Sequence, residues 1–274
     1  MMDNLGDRMK RYEAASQPLL PIRTPVVIRV DGRAFHTLTK DMMTFDDGLI
    51  IAMNRATIET AREMSGLKLA YTQSDEASFL IADTDTNETQ PWFGNNLSKL
   101  ISITASLFTY HFNKEYRELP RTWKIAAEEL PGPAIFDARA FAIPERDVPN
   151  YFVWRQKDWE RNSLNMLCSA HFSHRELHGK SNAERHEMLH KIGLNWADLL
   201  NRYKNGLYVK ADKTTTCSVQ PTYDAIRCLI TPAPEPLTIP ERNAAACSVE
   251  IPAREASGIN FSHRPYHYME EDIS

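Results

Sequence analysis

The feature that most constrains this chain is the order in which apolar periodicities alternate between residues 26 and 143. Val26-Val27-Ile28-Arg29-Val30 is a β-branched run that follows Pro25 and stops at Asp31-Gly32, which predicts a strand. Helical spacing takes over from about Leu49 to Met64, with Asp46 or Asp47 as the cap and Gly66 as the stop. Two short strands follow, Leu67–Thr72 and Ala77–Ile81, joined through Gln73-Ser74-Asp75-Glu76, where Ser and Asp side chains can bond back to the local backbone. A second helix is expected from about Asn96 to Phe112, and a fourth strand over Ala134–Ile143, bounded by Gly132-Pro133 and Pro144. The order β-α-β-β-α-β predicts an α+β fold, a ferredoxin-like (split βαβ) antiparallel sheet with helices on one face.

Beyond that unit the pattern changes twice. Three further helical stretches are predicted: Pro149 to Phe172, a segment capped by Ser181 with Glu184 at the box position, and Trp196–Arg202. From Thr214 the prolines at 221, 232, 234, 236, 240, 252 and 265 leave little room for long helices. The expected division is residues 1–145 as the sheet domain and 146–213 as a helical region packed on it. Residues 214–274 would be a proline-rich extended segment, partly disordered and with some strands.

Composition excludes several classes. Hydrophobic residues make up 42% of the 274 and charged residues 25%, the balance of a soluble protein. No apolar run nears the roughly 20 residues of a membrane span, and the N-terminus lacks the apolar core of a signal peptide. Cys168, Cys217, Cys228 and Cys247 form no CxxC pair, which fits reduced thiols in a cytoplasmic protein. The formal net charge of -4 gives no global attraction to nucleic acid, so an RNA partner needs a local basic surface. Residues 151–213 carry eleven Lys/Arg against seven Asp/Glu, which fits either such a surface or a solvated helical one. Walker A, GxGxxG and GxSxG motifs are absent.

Topology brings distant acids together. In a split βαβ sheet the first strand lies between the third and fourth, antiparallel to both, so Asp31, Asp75, Glu76 and Asp137 converge on one edge. Carboxylates held that close repel unless cations offset them. Mg²⁺ takes hard oxygen ligands, commonly one or two carboxylates plus substrate phosphates. A metal site for phosphoryl or nucleotidyl transfer and a solvated acidic cluster both fit these residues. Gly32, without a β-carbon, suits close approach to a metal or phosphate. Arg33, after the Asp-Gly pair, and Lys99, in the first turn of the second helix, are the cations best placed for phosphates. Arg29 and Arg139 lie inside strands, where ion pairs to the acids explain them equally well. His36 is a candidate polar contact for a nucleotide. His171, His174 and His178, with Arg175, suggest an exposed or RNA-facing helical patch more than a metal set. Trp154 and Trp159 are expected to pack the added helices on the sheet, with base stacking as the alternative.

Five ordered blocks carry a family resemblance: VIRVDGRAFHTLTK (Val27–Lys40), YTQSDEASFLI (Tyr71–Ile81), SKLISITAS (Ser98–Ser106), FDARAFAIP (Phe136–Pro144) and YFVWRQKDWERNSLN (Tyr151–Asn165). Together they resemble the tRNA-histidine guanylyltransferase family over roughly residues 5–210, and most of all its bacterial and archaeal guanylyltransferase-like branch. The resemblance implies a polymerase-palm-like catalytic domain that adds nucleotides to the 5′ end of tRNA, in the 3′–5′ direction. Asp31, the Gly32 carbonyl and Asp75 would hold two Mg²⁺ ions, with Ser74 and Glu76 beside them and Glu76 among the catalytic residues. Arg33, Ala34, Phe35 and His36 would line the nucleotide site. ATP would adenylylate the tRNA 5′-phosphate, and the 3′-hydroxyl of GTP would then displace AMP. A homotetramer would let one tRNA touch several subunits. Two departures stand out: Glu160 replaces a histidine that usually follows WRQ, and Met43-Thr44 replace a Lys-Pro pair, leaving Lys40 as the substitute cation. The first is the habit of the guanylyltransferase-like branch, which looks specialised for template-directed repair of truncated tRNA 5′ ends. A nucleotide cyclase or signalling-nucleotide synthase and a non-catalytic RNA-binding module are the competing readings of the same sheet.

Overall fold

The computed structural model describes residues 4–39, 44–86, 88–119, 132–210, 215–217, 225–226 and 249–250. The chain opens with helix α1 (Leu5–Ala14), which buries none of its residues. Strand β1 (Val26–Gly32), the short helix α2 (Phe35–Leu38), helix α3 (Asp47–Glu63), strands β2 (Leu67–Gln73) and β3 (Glu76–Ile81), helix α4 (Leu97–Glu118) and strand β4 (Phe136–Ala142) follow. The predicted β-α-β-β-α-β unit is therefore present, with the short α2 and a turn of 3₁₀ helix at Trp92–Asn95 as additions. Asp46 rather than Asp47 caps α3, accepting from the Leu49 amide at 2.7 Å, and Asn96 caps α4 by accepting from the Lys99 amide at 3.0 Å. Each cap satisfies an amide that the helix itself leaves unpaired, worth about 1 kcal/mol.

The sheet order is β4-β1-β3-β2, continued by β5 (Leu207–Lys210), β6 (Thr215–Cys217) and β7 (Val249–Glu250). All six neighbouring pairs are antiparallel. The four-residue β5 pairs with β2 and was not evident from periodicity. Strands β6 and β7 supply the extended structure expected after Thr214. Apart from Ala225 and Ile226, the rest of that stretch lies outside the described residues.

Alternation along the strands divides the sheet into two faces. Val26, Ile28, Val30 and Phe79 pack with Ala52, Met53, Phe108 and Phe112 from α3 and α4, forming the main core. Val27, Leu69, Tyr71 and Leu80 face the other way, onto Val148, Tyr151 and Phe152 of helix α5 (Val148–His171) and Tyr208 of β5. The distal half of α5 joins helices α6 (His174–Leu177), α7 (Asn182–Lys191) and α8 (Asn201–Lys204) around a third cluster that contains Trp159, Leu167, Leu177, Leu189 and Tyr203. Ser181 and Glu184 form the expected capping box of α7. No helix among the described residues is long and apolar enough to cross a membrane.

A buried ion pair ties α5 to the sheet. Arg155 donates to both carboxylate oxygens of Glu76, at 2.7 and 2.5 Å, and both side chains are only 8% exposed. Two desolvated charges stabilise a fold only while both are present, because a lone survivor is left without solvation. Arg155→Met should therefore destabilise the protein by roughly 3–5 kcal/mol, whereas Arg155→Met combined with Glu76→Leu should recover most of that loss. Urea unfolding midpoints of the two variants test this, and equal stabilities would contradict it.

Candidate functional site

The register places the acidic edge where topology predicted. Asp31 is the cross-strand partner of Glu76 on β3 and of Asp137 on β4. Asp75 occupies the turn between β2 and β3, and its carbonyl accepts from the Gly32 amide at 3.0 Å. Two backbone positions around this edge adopt left-handed φ without being glycine: Ser74 at +48° and Ala34 at +52°. Such conformations cost of order 1 kcal/mol or more and persist where surrounding contacts over-determine them. Gly32 sits between: a β-carbon there would lie 2.4 Å from the Phe35 ring and 3.1 Å from Asp75 Cβ. Only glycine permits the two segments to approach this closely.

The acids differ in how their charge is met. Glu76 is bound by Arg155, with Arg29 a further 3.7 Å away. Asp137 lies 3.4 Å from Arg139. Asp31, about one-third exposed, is 3.5 Å from Arg29 and 3.6 Å from Arg139. Asp75 pairs with no arginine or lysine among the described residues, and the Ser74 hydroxyl donates to it at 3.0 Å. Burial pushes the Asp75 carboxyl above the ordinary aspartate range. Its own backbone amide and the Ser74 hydroxyl oppose that rise, and the charge of Asp31 adds to it. Burial also raises Glu76, with Arg155 opposing. Among the described residues no group of three or more His, Cys, Asp or Glu is gathered as a metal cage. What remains is two carboxylates, Asp31 and Asp75, with the glycine backbone between them. That hard-oxygen set matches the way Mg²⁺ is held jointly by a protein and substrate phosphates.

The other expected site residues divide. Arg33 and His36 are exposed just past the edge, with Arg33 fixed through its amide to the Ile135 carbonyl at 2.8 Å and His36 near the Thr37 hydroxyl. Phe35 is 5% exposed, and its ring packs on Phe112 and Phe136 in the core. It supports the loop from beneath rather than presenting its ring at the surface. Lys40 and Met43 lie outside the described residues. Lys99 is not brought to the edge within one chain. Residues 95–97 at the start of α4 bond to Pro18, Leu20 and Pro21, which precede β1. It is Thr109 and Asn113 that meet the start of β4, at Phe136 and Ala134. Ten residues of helix, about 15 Å, separate Lys99 from Thr109.

In the added helices α5 ends at His171, so His171 and His174 fall on separate helices. The rings that do approach are His174 and His178, 6.1 Å apart beside a cavity of about 580 Å³ that Arg185 also lines. Trp159 packs inside as expected at 3% exposure, whereas Trp154 is 54% exposed and does not pack the helix onto the sheet. Glu160 accepts from Gln156 at 2.9 Å, and Gln156 accepts in turn from Tyr208 at 3.1 Å. The residue that sequence reasoning weighed too lightly is Arg155. Its place in a helix far along the chain from Glu76 gave no sign that it turns inward to that carboxylate.

Known proteins resemble this chain in sequence and in fold. The family model of tRNAHis guanylyltransferase matches residues 6–144. The tRNA(His) guanylyltransferase of Schizosaccharomyces pombe is 33% identical over 213 residues, 72% of this chain and 77% of that one. A solved bacterial tRNA(His) guanylyltransferase-like protein in complex with ATP superposes with a TM-score of 0.72 at 38% identity, covering 80% of this chain and 93% of its own. The bacterial guanylyltransferase-like protein in complex with GTP gives 0.64 at 39% identity, over 76% and 84%. On the strength of these matches, and of the sheet they share, the chain belongs to the tRNAHis guanylyltransferase family.

Proposed function

We propose that this protein is a Mg²⁺-dependent nucleotidyltransferase that extends the 5′ end of tRNA in the 3′–5′ direction. The observation that carries the reading is the pair Asp31 and Asp75 at adjacent strand ends, with Asp75 partly buried and unmatched by any described cation. The relatives solved with ATP and with GTP support nucleoside triphosphates as co-substrates.

Asp31, Asp75 and the Gly32 carbonyl would hold two Mg²⁺ ions. The ions, when bound, stabilise charge on the attacking and leaving oxygens of a phosphoryl-type transfer. The chain's own groups do the positioning. The strained Ala34 and the Phe35 ring beneath it fix the loop from Gly32 to His36, so that the amides of Ala34, Phe35 and His36 and the Arg33 side chain can meet a triphosphate. Ser74, held left-handed, directs its hydroxyl to Asp75. Glu76 acts as a positioning residue through Arg155. The reaction is taken in two parts. The tRNA 5′-phosphate attacks ATP at its α-phosphorus and pyrophosphate leaves. The 3′-hydroxyl of GTP, or of another incoming nucleotide, then attacks the activated 5′-phosphate and AMP leaves. A homotetramer fits this chemistry, and any role of Lys99 at the edge would require a second chain. Glu160, where guanosine-adding relatives usually carry histidine, favours template-directed repair of shortened tRNA over addition to intact tRNAHis.

Three measurements test the proposal. Asp31→Ala and Asp75→Ala should each reduce nucleotide addition by roughly a thousandfold or more, with circular dichroism unchanged, since several kcal/mol of transition-state stabilisation depend on the ions. Near-normal activity in both variants would end the mechanism. Chelation with EDTA should abolish addition and Mg²⁺ restore it. The substrate assignment rests on addition to two 5′-monophosphorylated RNAs, intact tRNAHis and a tRNA lacking its first nucleotide, supplied with ATP and GTP. Faster, template-following extension of the shortened RNA is expected, and preference for the intact one would reverse the assignment.

A further inference from the structure

Trp154 stands out among the described residues as an exposed tryptophan on an otherwise well-packed stretch of α5. Its neighbours Tyr151, Phe152 and Arg155 are 7%, 0% and 6% exposed, against 54% for Trp154 itself. Single exposed apolar side chains are ordinary on protein surfaces, so exposure alone argues nothing. What sets this ring apart is how it is held. The Arg155 guanidinium lies 4.6 Å from the indole centroid, and that guanidinium is itself fixed by two hydrogen bonds to Glu76. Tyr151 meets the indole edge-on at 5.9 Å, and its own hydroxyl is 2.8 Å from Ser78 Oγ on β3. The ring is therefore held by two groups that are themselves anchored to the sheet. Ordering it on binding costs little rotamer entropy, which is what an aromatic recognition surface needs.

Its position gives the ring a chemistry to serve. The support runs from Trp154 through Arg155 to Glu76, the cross-strand partner of Asp31. On that same sheet face Arg139 is half exposed beside Asp31 and Asp137, a cation within reach of a phosphate backbone that approaches the edge. The loop proposed for the incoming triphosphate is rooted on the opposite face, where Phe35 packs into the core of α3 and α4. A base on Trp154 would then belong to the other substrate.

We propose that Trp154 is a stacking platform for a nucleobase of the RNA at its acceptor end. It would hold the RNA on the α5 side of the sheet, with the triphosphate reaching the acidic edge from the loop after Gly32. The inference rests on the tRNA reading above, and base–aromatic stacking of this kind is sequence-tolerant because every base presents a π-face.

The test uses the full-length protein and measures binding separately from turnover. Trp154→Ala and Trp154→Phe are titrated with a 5′-monophosphorylated tRNA transcript and, separately, with GTP and with ATP. Nucleotide addition is then measured with each substrate varied in turn. Loss of one stacked base should weaken tRNA binding and raise the KM for tRNA by roughly 5- to 150-fold, while kcat and the affinities for GTP and ATP change less than about twofold. Trp154→Phe should restore most of the loss, because it keeps an aromatic face. If wild type binds tRNA and Trp154→Ala binds it equally well, the inference falls while the functional reading stands. A fall in kcat at unchanged tRNA affinity would assign the ring to holding Arg155 and would overturn stacking. Weakened GTP or ATP binding with unchanged tRNA affinity would overturn it as well. If wild type binds no tRNA at all, the functional reading itself fails.

Discussion

The structure depends on the register that sets β1 between β3 and β4. Because β1 is antiparallel to both, its last residues lie against the first residues of its two neighbours, and Asp31 faces Glu76 on one side and Asp137 on the other. A one-residue slip on either side would send alternate side chains to the opposite face. The main core fixes the register: Val26, Ile28 and Val30 must face α3 and α4, so Arg29 and Asp31 must face α5. Burying the apolar half of the strand and assembling the charged edge are thus one event. The acids repel one another, and three arginines on the same face, Arg29, Arg139 and Arg155, supply most of the compensation.

The sheet separates two kinds of surface. On one side Phe35, Phe108, Phe112 and Phe136 interlock, edge-to-face except for the tilted Phe35–Phe136 pair, and give the loop after Gly32 a rigid floor. Aromatic pairs in this geometry contribute about 0.5–1.5 kcal/mol each beyond their buried area, so the floor resists the shift that a β-carbon at position 32 would demand. On the other side polar contacts organise the edge: Tyr151 to Ser78, Arg155 to Glu76, Tyr208 to Gln156. These are directional, and they fix where α5 crosses the strands. Each side of the sheet edge is thus stiffened by a different kind of interaction.

Much of this was legible in the sequence, and the misses have specific causes. The β-branched run at 26–30, an aspartate cap at 46 or 47, a helix start near Asn96 and the box at Ser181 and Glu184 are local signals, and the observed elements correspond to them. The acidic edge was legible because strand order alone decides it. Lys99 lies away from the edge within one chain, and the same topology places it there. Strand β3 starts at the acidic edge and runs away from it, so the helix that follows must begin at the far end of the sheet. Trp154 and Trp159 were assigned one role, yet five residues of helix place them about 140° apart, so only one could pack inward. Strand β5 and the pairing of Arg155 with Glu76, 79 positions apart, depend on long-range contacts that no local pattern encodes.

The charge balance at the edge also bears on when a metal would bind. Asp31, Asp75, Glu76 and Asp137 bring four negative charges, and Arg29, Arg139 and Arg155 return three positive ones. Asp75 is the acid left without an arginine or lysine partner among the described residues. A triphosphate would add several negative charges of its own and hard oxygen ligands in the same place. On the proposed mechanism, ion and nucleotide would then bind with positive coupling, each supplying what the other lacks, because Mg²⁺ is more readily shared between a carboxylate pair and phosphates than held by two carboxylates alone. The arginines give the same balance a second consequence. Arg139 is held between Asp31 and Asp137 and Arg155 between Glu76 and Asp158, so neither pairs with Asp75, and on the proposed mechanism the turn carboxylate is the one open to a cation.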